Sequence, residues 1–186
     1  MKLNSITAIV AGLVVASTSA FAGEDSVLSI DGQEFITQAA APAHMENVDT
    51  IYSGWVFRTD ETQALEMDDF DNPSFIFVEQ AEDLFETVDG SAGKACASCH
   101  ESPEVFAGLR AKMPRVNDAG ELETLPELIN GCRTERMGAE AWKWSGGQMS
   151  GMLALVGLQS RGDIVDVAID GAAAPFFEKG KELYYT

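Results

Sequence analysis

The sequence is poor in cysteine and in positive charge. Its 186 residues include 3 cysteines, too few for the disulfide-rich scaffolds that stabilise many small secreted proteins. Its 12 lysines and arginines are outnumbered by 30 aspartates and glutamates, so the formal net charge is −18. A surface of this sign repels nucleic acids and anionic membranes, and neither is expected as a partner. The acidity favours docking to a basic protein, although keeping the chain in solution is sufficient reason for it.

The sequence also lacks an apolar run of the roughly 20 residues that a membrane-spanning helix needs. Its most apolar stretch, residues 6–16, follows a single positive charge at Lys2 and precedes the small-x-small pattern of residues 20–22. These are the features of an export signal with its cleavage site. We therefore predict that residues 1–22 are a cleaved signal peptide and that no membrane anchor remains after cleavage. A retained anchor is the alternative.

A weakly patterned stretch follows the predicted signal peptide. Residues 23–50 are small and acidic, and they contain His44 between a proline and a methionine. We predict a loosely ordered N-terminal arm, place no helix in it and give His44 no role.

Helical periodicity characterises the remaining sequence. Apolar residues repeat at helical spacing after Asn72 and Pro73, which suit the N-cap and first position of a helix, and Gly90 suits its end. A second helix is predicted from Thr124, whose spacing to Glu127 is that of a capping box.

A third helix is predicted over residues 146–162, followed by a short strand over residues 163–170. The inner stripe of this helix is predicted to be Met149, Met152, Leu153 and Val156. The sequence as a whole predicts a mainly α protein.

The stretch CASCH, residues 96–100, has the C-x-x-C-H spacing of c-type haem attachment. In such a motif the thiols of Cys96 and Cys99 add to the two vinyl groups of the porphyrin, and His100 is left facing the iron as proximal ligand. An export signal agrees with this chemistry, because bacteria attach c-type haem outside the cytoplasm. We predict one covalent haem c, with the preceding amphipathic helix as an apolar wall.

Three other interpretations of CASCH compete with haem attachment. A thioredoxin-like redox motif needs a βαβ context, and none precedes residue 96. A structural zinc site needs four ligands, and Cys132 and His44 are the only cysteine and histidine left to complete it. A plain disulfide gives His100 no role.

The ligand on the opposite side of the iron has two leading candidates, Met149 and Cys132. Met113, Met137 and Met152 also lie downstream of His100, but Met149 is the best placed of the methionines. Met149 lies on an apolar helix stripe, but methionines in such stripes are usually core residues. Cys132 falls on the inward face of the second helix, is otherwise unexplained, and is followed by Arg133, which can stabilise a thiolate. The sequence favours Cys132; its alternatives are a buried apolar role or a disulfide with another subunit.

The end of the chain repeats the pattern of the first helix. Residues 177–184 align with residues 78–85 as apolar, Glu, polar, small, polar, acidic, Leu and aromatic. We therefore predict that residues 171–186 begin a second cytochrome-type domain, whose own C-x-x-C-H motif would fall beyond Thr186.

Several stretches together resemble SoxA, the cytochrome family of the SoxAX complex of periplasmic sulfur oxidation. They include GKACASCHE (residues 93–101), LINGCRTERMGAEAWKW (128–144) and IDGAAAPFFEKGKELYYT (169–186). The resemblance runs from about residue 50 to the end and implies a cytochrome c-like helical domain over residues 51–170. It also implies that His100 and Cys132 ligate the iron of the haem attached at Cys96 and Cys99.

The resemblance further implies an activity and a partner. SoxA works with the smaller cytochrome SoxX as an L-cysteine S-thiosulfotransferase, which oxidatively joins thiosulfate to a cysteine of a carrier protein. The reacting cysteine belongs to the second domain, with its own haem, so no catalytic residue is assigned in this sequence. The alternative function is that of a stand-alone periplasmic electron-transfer cytochrome with His/Met ligation.

Overall fold

Helices provide most of the regular structure in the computed structural model, which describes residues 28–30, 32–43 and 45–186. The predicted signal peptide and His44 lie outside these residues. The α-helices are α1 (Asp60–Glu66), α2 (Phe75–Glu86), α3 (Ala97–His100), α4 (Leu125–Gly131), α5 (Gly147–Leu158) and α6 (Ala174–Tyr185).

Short antiparallel hairpins make up the strands. They are β1 (Leu28–Ile30) with β2 (Gln33–Phe35), β3 (Gln38–Ala40) with β4 (Thr50–Tyr52), and β5 (Arg115–Val116) with β6 (Leu122–Glu123). In the first two, Leu28 lies opposite Phe35, and Gln38 lies opposite Tyr52. The described part of the N-terminal arm thus has no helix, as expected, but has strands too short to give a periodic signal.

The core forms where α2 crosses α5. Ala81 and Met149 are fully buried there, and Phe85 and Leu155 are nearly so. Burial of a side chain as large as Phe85 contributes about 2 kcal/mol to folding. The helices approach closely at Gly151, where a Cβ atom would lie 2.9 Å from the carbonyl oxygen of Phe77.

Helix boundaries differ from the sequence prediction at α2. The helix begins at Phe75 with Ser74 as its N-cap, because Asn72 and Pro73 form a turn before it. The side chain of Asn72 accepts the N–H of Ser74 in that turn, 3.0 Å away. Gly90 is in the left-handed region but lies beyond the helix end, in the following loop.

Two predictions around α5 need correction. Leu155 is buried in the inner stripe, whereas Leu153 is only half-buried. Residues 163–170 have extended, irregular backbone without a strand partner among the described residues, and Ile164 and Val165 are exposed. One N–H in this segment, from Asp166, donates to the carbonyl of Ala111 at 2.8 Å, so the segment packs as a loop.

Helix α4 begins as predicted and ends differently. Thr124 donates its N–H and its hydroxyl to Glu127, at 2.8 and 2.7 Å, which is the predicted pairing of these two residues. The Thr124 hydroxyl, followed by its N–H, lowers the pKa of the Glu127 carboxyl. From Cys132 to Met137 the helix widens into a π-helix, a form that is rare and frequently occurs at functional sites.

Helix α6 occupies the region where the sequence pattern repeats that of α2. It begins at Ala174, and Pro175 lies in its first turn. Each of its residues is at least partly exposed. Within the part of the chain that the structure describes, no helix is long and apolar enough to cross a membrane.

Candidate functional site

The one-turn helix α3 brings together the three residues of the predicted attachment motif. Cys96 is its N-cap, and its carbonyl accepts the N–H groups of Cys99 and His100, both at 3.1 Å. Positions three and four apart lie on the same side of a helix, so the two thiols and the imidazole share one face. The hydroxyl of Ser98 accepts the N–H of Ala95 at 2.9 Å and fixes the entry into this turn.

The backbone reverses immediately after the histidine. Glu101 has a φ of +57°, a conformation that non-glycine residues rarely adopt, and Ser102 donates its N–H to the carbonyl of His100 at 2.6 Å. This reversal brings Phe106 back to the motif, with its ring centre 4.9 Å from that of His100. Phe106 also contacts Phe85 of α2 edge to face, at 6.5 Å.

All four predicted site residues line one cavity of about 280 Å³. The wall is mostly apolar and draws on α2, α3, α4, the π-helix and α5. Its lining residues are Phe85, Ala95, Cys96, Cys99, His100, Phe106, Leu109, Arg115, Leu125, Leu128, Ile129, Cys132, Arg133, Arg136, Met137, Met152 and Val156.

The two candidate distal ligands occupy different places. Cys132 stands where α4 becomes the π-helix, on the cavity wall and partly open to solvent. Met149 is fully buried in the core between α2 and α5. The methionines that do line the cavity are Met137 and Met152, which the sequence ranked behind Met149 as candidate ligands.

The cavity contains three free thiols with different surroundings. Cys96 is the least exposed of the three cysteines, and burial raises the pKa of its thiol. The nearby charge of Arg133 partly offsets this increase, while Cys132 and Cys99 add to it.

Arg133 is held by several contacts beside the motif. Its guanidinium donates to Asp89 at 2.6 Å and to the carbonyl of Glu140 at 3.0 Å, and it lies 3.9 Å from the ring centre of Trp142. These contacts tie it to the loop before the motif, and its side chain also lines the cavity that Cys132 lines. Its hydrogen bond, followed by that from Gly90, lowers the pKa of the Asp89 carboxyl.

The loop of residues 89–94 docks onto the end of the π-helix. Ser91 and Ala92 donate their N–H groups to the carbonyls of Gly138 and Met137, at 3.2 and 2.9 Å. Gly90 permits this close approach, because a Cβ there would lie 2.7 Å from the carbonyl carbon of Gly138 and 2.6 Å from the nitrogen of Ala139.

We expect Gly90→Ala to destabilise the protein more than Gly93→Ala does. Both glycines have positive φ, +73° and +60°, so both substitutions carry a backbone penalty of about 1–2 kcal/mol. At Gly93 the added Cβ would have no described atom within 4 Å, whereas at Gly90 it adds a clash of about 1–3 kcal/mol. Denaturant unfolding of both variants measures the difference. Equal losses of stability would show that the loop is not docked this tightly.

The zinc interpretation of the motif gains no support from the fold. Among residues 28–30, 32–43 and 45–186, no group of three or more histidine, cysteine, aspartate or glutamate side chains is arranged to hold a metal ion. The motif instead faces a mostly apolar cavity, which suits a large apolar group better than a small hydrated ion.

Comparisons with known proteins agree on one family. Residues 80–165 match the family model described as the SoxA/TsdA cytochrome c domain. The fold matches that of a crystal structure of SoxXA from Paracoccus pantotrophus, with a TM-score of 0.82 and 49% identity over 88% of this chain. Residues 80–165 are a cytochrome c domain of the SoxA/TsdA kind. This confirms the resemblance to SoxA and the mainly helical cytochrome c fold.

Two curated SoxA proteins are similar to this chain over only part of their own length. The L-cysteine S-thiosulfotransferase subunit SoxA of Paracoccus pantotrophus is 52% identical over 155 residues, which are 82% of this chain and 53% of that protein. The SoxA subunit of Rhodovulum sulfidophilum is 48% identical over 183 residues, or 96% of this chain and 64% of that protein. The chain thus spans between about half and two thirds of these SoxA proteins, and 64% of the SoxXA crystal chain.

Distant segments contribute cavity-lining residues that the sequence did not predict. Arg115 and Arg136 line the cavity, and Phe106 packs on His100. A haem motif signals its own cysteines and histidine, but nothing in the local sequence marks an arginine of a hairpin as part of the same wall. Phe85 was expected on the inner stripe of α2, although not specifically at the site.

Proposed function

We propose that this chain binds one haem c through Cys96 and Cys99 and holds its iron between His100 and Cys132, as the haem domain of a SoxA-type subunit. The observation that carries the proposal is the shared cavity: these four side chains, far apart in sequence, line one space. Cytochrome c domains bind haem c, and a single C-x-x-C-H motif attaches one haem.

The side chains around the cavity fit a porphyrin. Aliphatic and aromatic walls exclude water from an apolar macrocycle, and the donor set consists of two adjacent thiols, an imidazole and a further sulfur. Arg136 supplies positive charge at the same cavity, which suits the carboxylates that haem carries, and Arg115 lines it while paired with Glu123 at 3.1 Å.

Each site residue then has a separate task. Cys96 and Cys99 anchor the group through thioether bonds, His100 supplies the proximal nitrogen, and Cys132 supplies the distal sulfur. Phe106 packs against the imidazole and limits its rotation. Haem, when bound, would supply one-electron redox chemistry, and a thiolate ligand would favour its ferric state.

The larger activity is a proposal by analogy with the named relatives. Those proteins are L-cysteine S-thiosulfotransferase subunits, and the matching crystal structure is of SoxXA. We infer that this chain serves the same enzyme in the periplasm, with a SoxX cytochrome as partner and with thiosulfate and a sulfur-carrier protein as substrates. Within that enzyme this chain would transfer electrons, and we assign none of its residues to sulfur transfer.

A second candidate is a stand-alone electron carrier with His/Met ligation. It is favoured by Met137 and Met152, whose thioethers lie on the cavity wall beside Cys132. A thioether ligand raises the haem potential, whereas a thiolate lowers it. The two candidates therefore predict different potentials for the same fold.

Purification with a tagged SoxX-type cytochrome tests the proposed partnership. The chain would be co-expressed with SoxX in a bacterial periplasm that carries the haem attachment machinery. We expect both haem proteins to elute together by size-exclusion chromatography, with a 1:1 ratio of chains. A haem-loaded chain that elutes alone at every concentration would favour the stand-alone carrier.

A further inference from the structure

The loop before the haem motif and the segment that bears Cys132 are joined by one buried charge. Arg133 directly follows Cys132 and is 5% exposed, while its partner Asp89, whose side chain is 51% exposed, is the first residue of the loop of residues 89–94. Asp89 also donates its N–H to the carbonyl of Lys94 at 3.0 Å, which closes this loop two residues before Cys96. The ion pair therefore connects the proximal and distal halves of the site.

The guanidinium of Arg133 is held on several sides. Nη2 donates to Asp89 at 2.6 Å, Nε donates to the carbonyl of Glu140 at 3.0 Å, and the group stacks on Trp142. A planar guanidinium held by a carboxylate, a carbonyl and an aromatic face has one orientation, and leaving such a charge buried and unpaired is costly. These contacts hold the backbone of Arg133 in place, and with it the backbone of the adjacent Cys132.

The segment that carries Cys132 needs such support. A π-helix is less favourable than an α-helix and persists where tertiary contacts hold it. Such contacts lie near both ends of this π-helix. Near its start, Arg133 donates to the carboxylate of Asp89, and at its end the carbonyl of Met137 accepts the N–H of Ala92. Both ties lead to the same loop, the one that delivers the haem motif.

We propose that the Asp89–Arg133 pair is a positioning element that sets the separation between the haem attachment segment and the distal sulfur of Cys132. The proposal rests on the ligation proposed above. Its consequence is specific: loss of the pair leaves the thioether bonds and His100 in place but loosens the sixth ligand. Neither residue contacts the iron in this account, so both act through Cys132.

Imidazole binding to the ferric holoprotein tests the proposal. A firmly held Cys132 sulfur competes with added imidazole for the iron, so the dissociation constant for imidazole reports how firmly it is held. We expect Asp89→Ala to lower that constant about tenfold, because a charge-assisted hydrogen bond changes an equilibrium by about this factor. Asp89→Asn keeps an acceptor for Arg133 and is expected to fall between wild type and Asp89→Ala.

The pair between Asp69 and Arg161 offers a matched control. It is a two-bonded ion pair, at 2.7 and 3.0 Å, that ties the turn before α2 to the chain after α5. Asp69→Ala removes a charged pair of the same kind, away from the cavity-lining residues. We expect it to lower the unfolding temperature without changing the imidazole constant.

Cys132→Ala separates failure of this inference from failure of the proposed ligation. If Cys132→Ala leaves imidazole binding unchanged, Cys132 is not the distal ligand and the proposed function is wrong. If Cys132→Ala binds imidazole tightly while Asp89→Ala behaves like wild type and Asp69→Ala, the pair has only a structural role and this inference is overturned. Should Asp89→Ala not accumulate with haem, the same criterion applies to Asp89→Asn.

Discussion

Replacing Cys132 with alanine is expected to raise the reduction potential of the haem and to change its absorption spectrum. An anionic sulfur ligand stabilises ferric iron, so its loss favours the ferrous state. The increase should be a sizeable part of the roughly 0.8 V range over which axial ligands tune haem potentials. Potentiometric titration of the holoprotein, followed in the visible absorption bands, measures both effects.

The cavity methionines provide the comparison for this result. Met152→Leu and Met137→Leu remove a thioether from the cavity wall with little change in volume, and they should leave the potential near that of wild type. A potential that shifts in a methionine variant and stays constant in Cys132→Ala would establish His/Met ligation and the stand-alone electron carrier instead.

The double substitution Cys96→Ser and Cys99→Ser is expected to abolish covalent haem attachment. Serine hydroxyls do not form the thioether bonds that thiols form with the vinyl groups, so denatured protein should carry no haem mass. The stability of the chain should fall as well. Haem that contacts only the folded state stabilises it, and without haem the apolar walls of a cavity of about 280 Å³ face water.

Mass spectrometry of the denatured chain and denaturant unfolding measure these two effects. Cys132→Ser is the matched control, since it makes the same chemical change at the third cysteine and should retain covalent haem. Haem mass that persists in the double variant, or an unfolding midpoint equal to that of the holoprotein, would contradict the assignment of the CASCH motif.

The sequence was sufficient to predict features that depend on residues close together in the chain. The capping box of Thr124 and Glu127 involves two residues one helical turn apart, and α4 begins there. The spacing of CASCH places its thiols and imidazole on one face of a single helical turn. Periodicity placed Cys132 on the buried face of its helix, whereas the structure places it on the cavity wall and exposed.

Contacts between distant segments explain what the sequence did not predict. Arg133 was expected to act on its neighbour Cys132, but its partner Asp89 lies 44 positions away and its aromatic contact is Trp142. The π-helix that follows α4 ends where the same loop docks, at Met137 and Gly138. Residues 163–170 have the composition of a strand, yet a strand needs a partner, and this segment bonds to Ala111 through a single N–H of Asp166.

Iron K-edge X-ray absorption of the ferric holoprotein tests the central claim most directly, because it reports which atoms surround the iron. The account predicts five nitrogen neighbours, four from the porphyrin and one from His100, together with a single sulfur that is absent from the Cys132→Ala protein. A first shell composed of nitrogen and oxygen only, or a sulfur signal that survives in Cys132→Ala, would contradict it.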